Sequence, residues 1–392
     1  MATSFKTSES LLFDLKKMLI ESQASLVNQE AFVAFDGFID TLQKAVHHSV
    51  GDEVTYFSTI TDFANHLQQM DGKSGQVELV TNQVKMGGNA PILANALGQL
   101  GIKTTCMGSM GIPEINPLFN NISNPLVNRI SVAEPGKSRA IEFDNGKIIF
   151  SDLSGFKKYD WDYIKDRVGL PTLKKIIESS RLIGLVDWAN LSKASQLWKG
   201  LLEDIIKPQK KKDRFFLFDL CDPSRKSKEQ IKDVLELISC YSEYGSVTLG
   251  LNENEANKIW LSLHGIDLND SEKIEIPDLR TVGYFIYRAL EIDTLLIHPI
   301  DRTIVFKNQK ELEKQSIIEL KGHLVTDPKI QTGAGDNLNA GYCFGQMAGF
   351  EIQYCMLLGM AVAGTYVQNG TSPDVKALLD YIDNWVASAL SH

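Results

Sequence analysis

The chain has 392 residues, 43% of them hydrophobic and 23% charged, which supplies a packed core and excludes a disordered or low-complexity protein. With 40 basic against 49 acidic residues the net charge is −9, so a uniformly basic nucleic-acid-binding surface is excluded. Five scattered cysteines without a Cys-x-x-Cys pair exclude a disulfide scaffold or zinc ribbon and fit a reducing, cytoplasmic compartment.

Met1 to Gln23 mixes polar and apolar residues and carries Glu9, Asp14 and Glu21, so it reads as neither a signal peptide nor a membrane span. Residues 1–29 are expected to form a helical extension ahead of a domain at 30–392. Short β-branched or aromatic runs then recur at Ala31–Phe35, Leu182–Val186, Phe215–Phe218, Val247–Leu249, Thr294–Ile297 and Thr303–Phe306. Continuous apolar runs of this length suit strands buried on both faces of a parallel sheet. Helical patterns fall between and after them, at Pro91–Leu100, Pro171–Glu178, Lys228–Ser239, Asn254–Leu263, Asn337–Ala348 and Pro373–Leu390. The alternation predicts a doubly wound α/β sheet with right-handed crossovers.

One region breaks the pattern. Within residues 129–154, Arg139–Phe143 and Lys147–Phe150 flank Asp144-Asn145-Gly146, and Asn-Gly between two apolar runs signals a hairpin. Such a hairpin either projects as a lid or extends an edge of the main sheet. Lys210-Lys211-Lys212-Asp213-Arg214 reads as a solvated loop, and His47-His48 lacks the i, i+4 spacing of a metal-binding pair. The apolar stretch around Cys355–Val367 is too short and too Gly-rich to cross a bilayer.

Two apparent phosphate motifs fail. Gly72-Lys73-Ser74 and Gly136-Lys137-Ser138 resemble the end of a P-loop, yet its first glycine is replaced by Leu67 and Ser131. Gly333-x-Gly335 resembles a dinucleotide fingerprint whose third small residue is Leu338. A different reading fits that segment. Thr332-Gly333-Ala334-Gly335-Asp336 runs into a helical pattern, and small residues let backbone N–H groups converge on an anion at a helix N-terminus. An anion hole beside a carboxylate base is apparatus for phosphoryl transfer; the alternative is an Asp that caps a helix after a glycine turn. Met86-Gly87-Gly88-Asn89-Ala90 is a second candidate: the glycines permit close approach to a ligand, and Asn89 offers donors and acceptors to hydroxyls.

Together, in this order and at this separation, the two segments resemble the glycine-glycine and Gly-Ala-Gly-Asp signatures of the PfkB carbohydrate kinases, the ribokinase-like family. Asp36-Gly37-Phe38-Ile39-Asp40 follows the first strand, where that family places a sugar-binding aspartate, and Asp40 is the better match. Asp222-Pro223-Ser224-Arg225 is similar to another motif of these kinases, and Asn252-Glu253-Asn254-Glu255 to their Asn-x-x-Glu element. The resemblance spans roughly residues 30 to 390.

It implies a three-layer α/β/α sandwich with a small β lid, and ATP-dependent phosphorylation of a sugar hydroxyl. Asp336 would be the general base, and Gly333, Ala334 and Gly335 the anion hole. Asp36, Asp40, Gly87, Gly88 and Asn89 would surround the acceptor; Asn252, Glu255 and Thr332 would lie at the nucleotide and its Mg²⁺. A nucleoside kinase of the same fold and a non-catalytic sugar-binding regulator are the alternatives. No nucleic-acid or membrane partner is expected, and a homodimer is left open. The chain departs from the family at three places: Gln331 stands where an Asp usually precedes the Thr-Gly-Ala-Gly-Asp core, with Asp327 four residues earlier; Ile92 replaces an Asn; and His298-Pro299-Ile300-Asp301-Arg302 replaces a Thr-x-Gly-x-x-Gly turn at the nucleotide.

Overall fold

A computed structural model describes residues 2–5, 9–26, 28–122, 124–268, 274–309 and 314–390. The main sheet has ten strands, in the order β1 (Ala2–Phe5), β15 (Lys314–Lys321), β14 (Arg302–Gln309), β13 (Thr294–Ile297), β12 (Gly245–Leu251), β11 (Arg214–Asp219), β10 (Ser180–Leu185), β2 (Glu30–Ala34), β6 (Lys103–Gly108) and β7 (Val127–Ser131). From β13 to β7 every pairing is parallel; β14 is antiparallel to both of its neighbours, and β1 runs parallel to β15.

The strand side chains explain the layering. Phe32, Ala34, Ile183, Leu185, Phe216 and Phe218 belong to one buried cluster, while the alternating Ala31, Val33, Leu182 and Leu217 belong to another. The period-2 alternation of a strand thus presents apolar residues to both faces, and each face needs a helical cover. Helices Trp161–Val168, Leu170–Ser179, Ala194–Leu201, Lys228–Cys240, Glu253–Leu263 and Leu279–Arg288 supply residues to the first cluster. Helices Glu9–Leu26, Asn89–Gln99, Ala334–Met347, Ile352–Asn369 and Val375–Leu390 supply the second. This is the expected α/β/α sandwich.

Of the N-terminal extension, residues 1, 6–8 and 27 lie outside the described residues. Its helix buries Leu12, Leu15 and Leu19, spaced three and four apart, and Lys16 pairs with Asp383 of the last helix at 2.6 Å. The apolar stretch near 355–367 is a buried helix, Ile352–Asn369. No helix among the described residues is long and apolar enough to cross a membrane.

The flap differs in extent from its sequence reading. A second sheet comprises β4 (Glu53–Tyr56), β3 (Phe38–Val50), β8 (Gly136–Phe143) and β9 (Gly146–Asp152), with β5 (Leu79–Gly87) also pairing β3. The predicted hairpin is β8–β9, but three of the five strands come from upstream. Residues 129–131, included in the expected flap, instead belong to β7, which pairs in register with Thr104–Gly108 at the edge of the main sheet. β3 escaped detection because it carries polar residues on both faces, Asp40, Gln43, Lys44, His47 and His48 among them, without a clean alternation. Ala45, Phe57, Phe63 and Ile141 form a small core of its own under this sheet.

Candidate active site

Of the parallel strands, β11, β12 and β13 bring their carboxyl ends into the lining of one cavity of about 630 Å³, while the residues that follow β2 and β10 lie outside that lining. Asp36 follows β2, Asp187 follows β10, Asp219 ends β11, Asn252 follows β12 and His298 follows β13. Ligand sites of open α/β sheets form at this end of the strands. The N-termini of helices Asn89–Gln99 and Ala334–Met347 carry Asn89 and Ala334–Asp336 to the same cavity.

The Thr332–Asp336 loop begins the second of these helices. Gly333 is its N-cap in the left-handed region (φ 96°, ψ 0°), and a Cβ there would lie 2.8 Å from Tyr366 Oη. Both facts demand glycine. The Tyr366 hydroxyl donates to the Thr332 carbonyl at 2.8 Å, bracing the loop from behind. Of the three amides expected in the anion hole, Ala334 N–H already donates to the Gln331 carbonyl (3.1 Å), which leaves those of Gly333 and Gly335. Gly335 has an ordinary φ; its lack of a side chain matters because a Cβ would sit 3.2 Å from the His298 ring.

Asp336 is only 6% exposed, and its Oδ1 meets no hydrogen-bond partner. Burial raises its pKa well above the ordinary carboxylate range, with further contributions from the negative charges of Asp219, Asp36 and Asp187, while the Asn89 side chain opposes them. Asn89 Oδ1 in turn accepts from Cys221 Sγ at 3.3 Å.

On the opposite wall, Asp40 lies on β3 across from Ser138 of β8, whose hydroxyl donates to it at 2.5 Å. Burial raises the Asp40 pKa, and the hydrogen bond from Ser138 and the charges of Lys85 and Lys147 counter it. Gly87 lies outside the cavity lining, and its missing side chain makes room: a Cβ would fall 2.2 Å from Asp40 Oδ2. Gly88 (φ 97°) is crowded as well, though less closely, by Asp36 Oδ2 at 2.7 Å. Asp36 itself is fully buried away from the lining, its two oxygens accepting from the N–H groups of Asn89 (2.7 Å) and Ala90 (2.8 Å). It caps the helix that presents Asn89 rather than facing a ligand. The lid sheet reaches the anion loop through Lys147 of β9, whose ammonium donates to Thr332 Oγ1.

Asn252 and Glu255 form a capping box. Asn252 Oδ1 accepts from the Glu255 N–H (2.9 Å), and Glu255 accepts from the Asn252 N–H (2.9 Å) and Nδ2 (2.7 Å). Burial pushes Glu255 up to about 8, helped by the charge of Asp219; it pushes Asp36 and Asp219 up to about 6. Among the described residues no cluster of three or more His, Cys, Asp or Glu side chains could cage a metal ion. The donors present are hard oxygens, which suits Mg²⁺ held through its waters and a ligand's phosphates.

The sequence reading missed Asp187 and Asp219. Both are buried carboxylates at strand ends: Asp219 accepts from Asn339 Nδ2 (2.9 Å), and Asp187 Oδ1 from Asn190 (2.6 Å), while Asp187 Oδ2 has no partner. A signal existed, since each directly follows an apolar strand run, Leu182–Val186 or Phe215–Phe218. Lys147 and Tyr366 carried no such signal.

Residues 14–385 match a family model described as prokaryotic ketohexokinase. A ketohexokinase from Haloferax volcanii is 24% identical over 362 residues, covering 89% of this chain and 91% of its own. Among solved structures, an adenosine kinase from Sinorhizobium meliloti superposes with a TM-score of 0.60 at 14% identity, covering 91% of this chain and 99% of its own. An Arabidopsis thaliana ribokinase, complexed with ribose and ATP, gives 0.58 at 14% identity, covering 91% and 98%. At these identities the structural likeness establishes a shared ribokinase-type fold.

Proposed function

The chain belongs to the prokaryotic ketohexokinase family, and we propose that it transfers the γ-phosphoryl group of ATP to a hydroxyl of a ketohexose. It is a carbohydrate kinase, and that displaces the alternative of a non-catalytic sugar-binding regulator. One observation carries the mechanistic reading: Asp336, whose buried carboxylate Oδ1 meets no hydrogen-bond partner, lines the same cavity as the glycine-built start of its helix.

The acceptor is held by Asp40 and Asn89, with Ile92 and Ile149 beside them. Polar and aliphatic side chains of this kind suit a small, hydroxyl-rich ligand better than a stacked nucleoside base. The Asp40 carboxylate accepts from acceptor hydroxyls, and Asn89 both donates and accepts. Asp336 takes the proton of the attacking hydroxyl at its free Oδ1. Its elevated pKa brings its basicity closer to neutral pH, where a general base works best. The Gly333 and Gly335 N–H groups face the transferring phosphoryl group and stabilise its charge without reorganisation. Mg²⁺ supplies neutralisation of the phosphate oxygens when bound, and Asn252 and Glu255 are the residues to hold its waters. The nucleotide base lies against the apolar part of the cavity, where Pro299, Ile300, Leu324, Val325 and Val367 converge.

An ADP-release assay with ATP and Mg²⁺ across ketohexoses, aldohexoses and nucleosides tests this reading. The expected result is a kcat/KM for a ketohexose well above that for any aldohexose or nucleoside. Preference for a nucleoside, or no turnover of any sugar, overturns it.

A further inference from the structure

We propose that His298 reads the sugar of the phosphate donor: its Nε2 accepts a hydrogen bond from a ribose hydroxyl, which makes the enzyme select ribonucleoside over deoxyribonucleoside triphosphates. The inference rests on the reading of ATP as the donor.

The starting point is a bare nitrogen. His298 lines the cavity directly after β13, and its Nε2 is buried with no hydrogen-bond partner. Its own backbone acts on the ring in the sense that favours proton binding, and on that ground we assign the N–H of the neutral ring to Nδ1. Burial outweighs that bond and pushes the pKa down to about 4. The ring is therefore neutral at physiological pH, with its one N–H used inward and a lone pair at Nε2. A buried acceptor without a donor is costly, and packing alone does not require it, since a phenyl ring would fill the same space.

The ligand group that meets Nε2 must be a hydrogen-bond donor. This rules out a phosphate oxygen, which would put one lone pair against another. Position narrows the choice further. A Cβ at Gly335 would lie 3.2 Å from His298 Cε1 and 3.8 Å from Nε2, so the ring borders the start of the anion loop. The next residues along the chain, Pro299 and Ile300, begin the apolar part of the cavity. The order along the wall is anion loop, imidazole, apolar surface. A nucleotide has the order phosphate, ribose, base, and the ribose hydroxyls are its hydrogen-bond donors at the middle position. The segment His298-Pro299-Ile300-Asp301-Arg302, which has no glycine to offer backbone contacts, thus supplies a side-chain acceptor instead.

The test compares ATP, 2′-deoxyATP, 3′-deoxyATP and ITP as donors for the wild-type enzyme and for His298→Phe and His298→Ala, each accompanied by a melting curve. One of the two deoxynucleotides should lose about ten- to a hundredfold in kcat/KM with the wild type, because Nε2 is then left unpaired. ITP, which lacks the 6-amino group, should not show that loss. Both variants should accept ATP and the deoxynucleotide almost equally; Phe keeps the ring's bulk and Ala covers a folding failure of Phe. Equal use of all four nucleotides by the wild type, discrimination that survives in a folded variant, or a loss that follows ITP each overturns the proposal. If ATP phosphorylates no sugar, the kinase reading fails by itself, and calorimetric titration with ADP and its two deoxy analogues still decides the role of His298.

Discussion

Replacing Asp187 by Asn removes one titrating carboxyl from the buried carboxylate cluster with little else disturbed. Asp187 Oδ1 accepts from Asn190 at 2.6 Å, a bond that the amide oxygen of the replacement would retain, and Oδ2 has no partner to lose. The backbone there is left-handed (φ 56°), which Asn tolerates as Asp does. The charge of Asp187 is one of three that raise Asp336, after Asp219 and Asp36. At an effective dielectric of about 20, a unit charge in the same buried cluster contributes on the order of 1 kcal/mol, and one pKa unit corresponds to ~1.4 kcal/mol. The acid limb of kcat/KM, measured from pH 5 to 9, should therefore move down in Asp187→Asn, by at most about one unit because Asp187 is itself held partly protonated. Stability gives an independent check of sign. Because the folded pKa of Asp187 is raised, the wild type is destabilised as pH climbs from the unfolded value of ~3.9 towards the folded one. The variant escapes that penalty, so its melting temperature should exceed the wild type's at pH 7 and converge with it near pH 4. An acid limb that stays put or moves up in a variant with this melting behaviour would refute Asp336 as the base within a coupled cluster.

Asp336→Asn should lower the single-turnover rate by ~10² to 10⁴ while melting no earlier than the wild type, since a desolvated carboxyl is removed; near-normal transfer eliminates it as the base. Asp40→Ala should raise the acceptor KM by about 10² and leave the KM for ATP unchanged, the size expected for two charged hydrogen bonds. Gly87→Ala should act the same way, because its Cβ would meet Asp40 Oδ2 at 2.2 Å; steady-state kinetics against both substrates show whether it does. Gly333→Ala strains a φ of 96° and drives a Cβ to 2.8 Å from Tyr366 Oη, so kcat should fall by ~10² to 10³ with acceptor affinity kept. A loss confined to acceptor KM would place the anion hole elsewhere.

The strands Phe215–Phe218 and Leu182–Val186 were legible because a strand buried on both faces leaves an unbroken apolar run. The two glycine loops were legible for a local reason as well. Gly333 and Gly88 answer to their own φ, and the helices they open start within one or two residues. Other features have no local cause. β3 takes its place through partners such as Ser138 and Lys85, nearly a hundred and some forty residues away, and its polar residues hide the pairing. Ile352–Asn369 is buried on most of its surface, so it lacks the polar stripe that marks a helix. The anion loop announced three amides, and only the fold revealed that Gln331 turns back to engage one of them. Asp36 followed the first strand as a ligand-binding residue would, yet its oxygens are spent on a helix start more than fifty residues away. The chain by itself thus determined which groups are present and which backbone turns they require, because φ preferences and helix caps act over a few residues. Tertiary structure decided which carboxylates share one desolvated space and which lone pairs stay empty, because burial and Coulomb interactions depend on distances between strand ends that the order of residues does not contain.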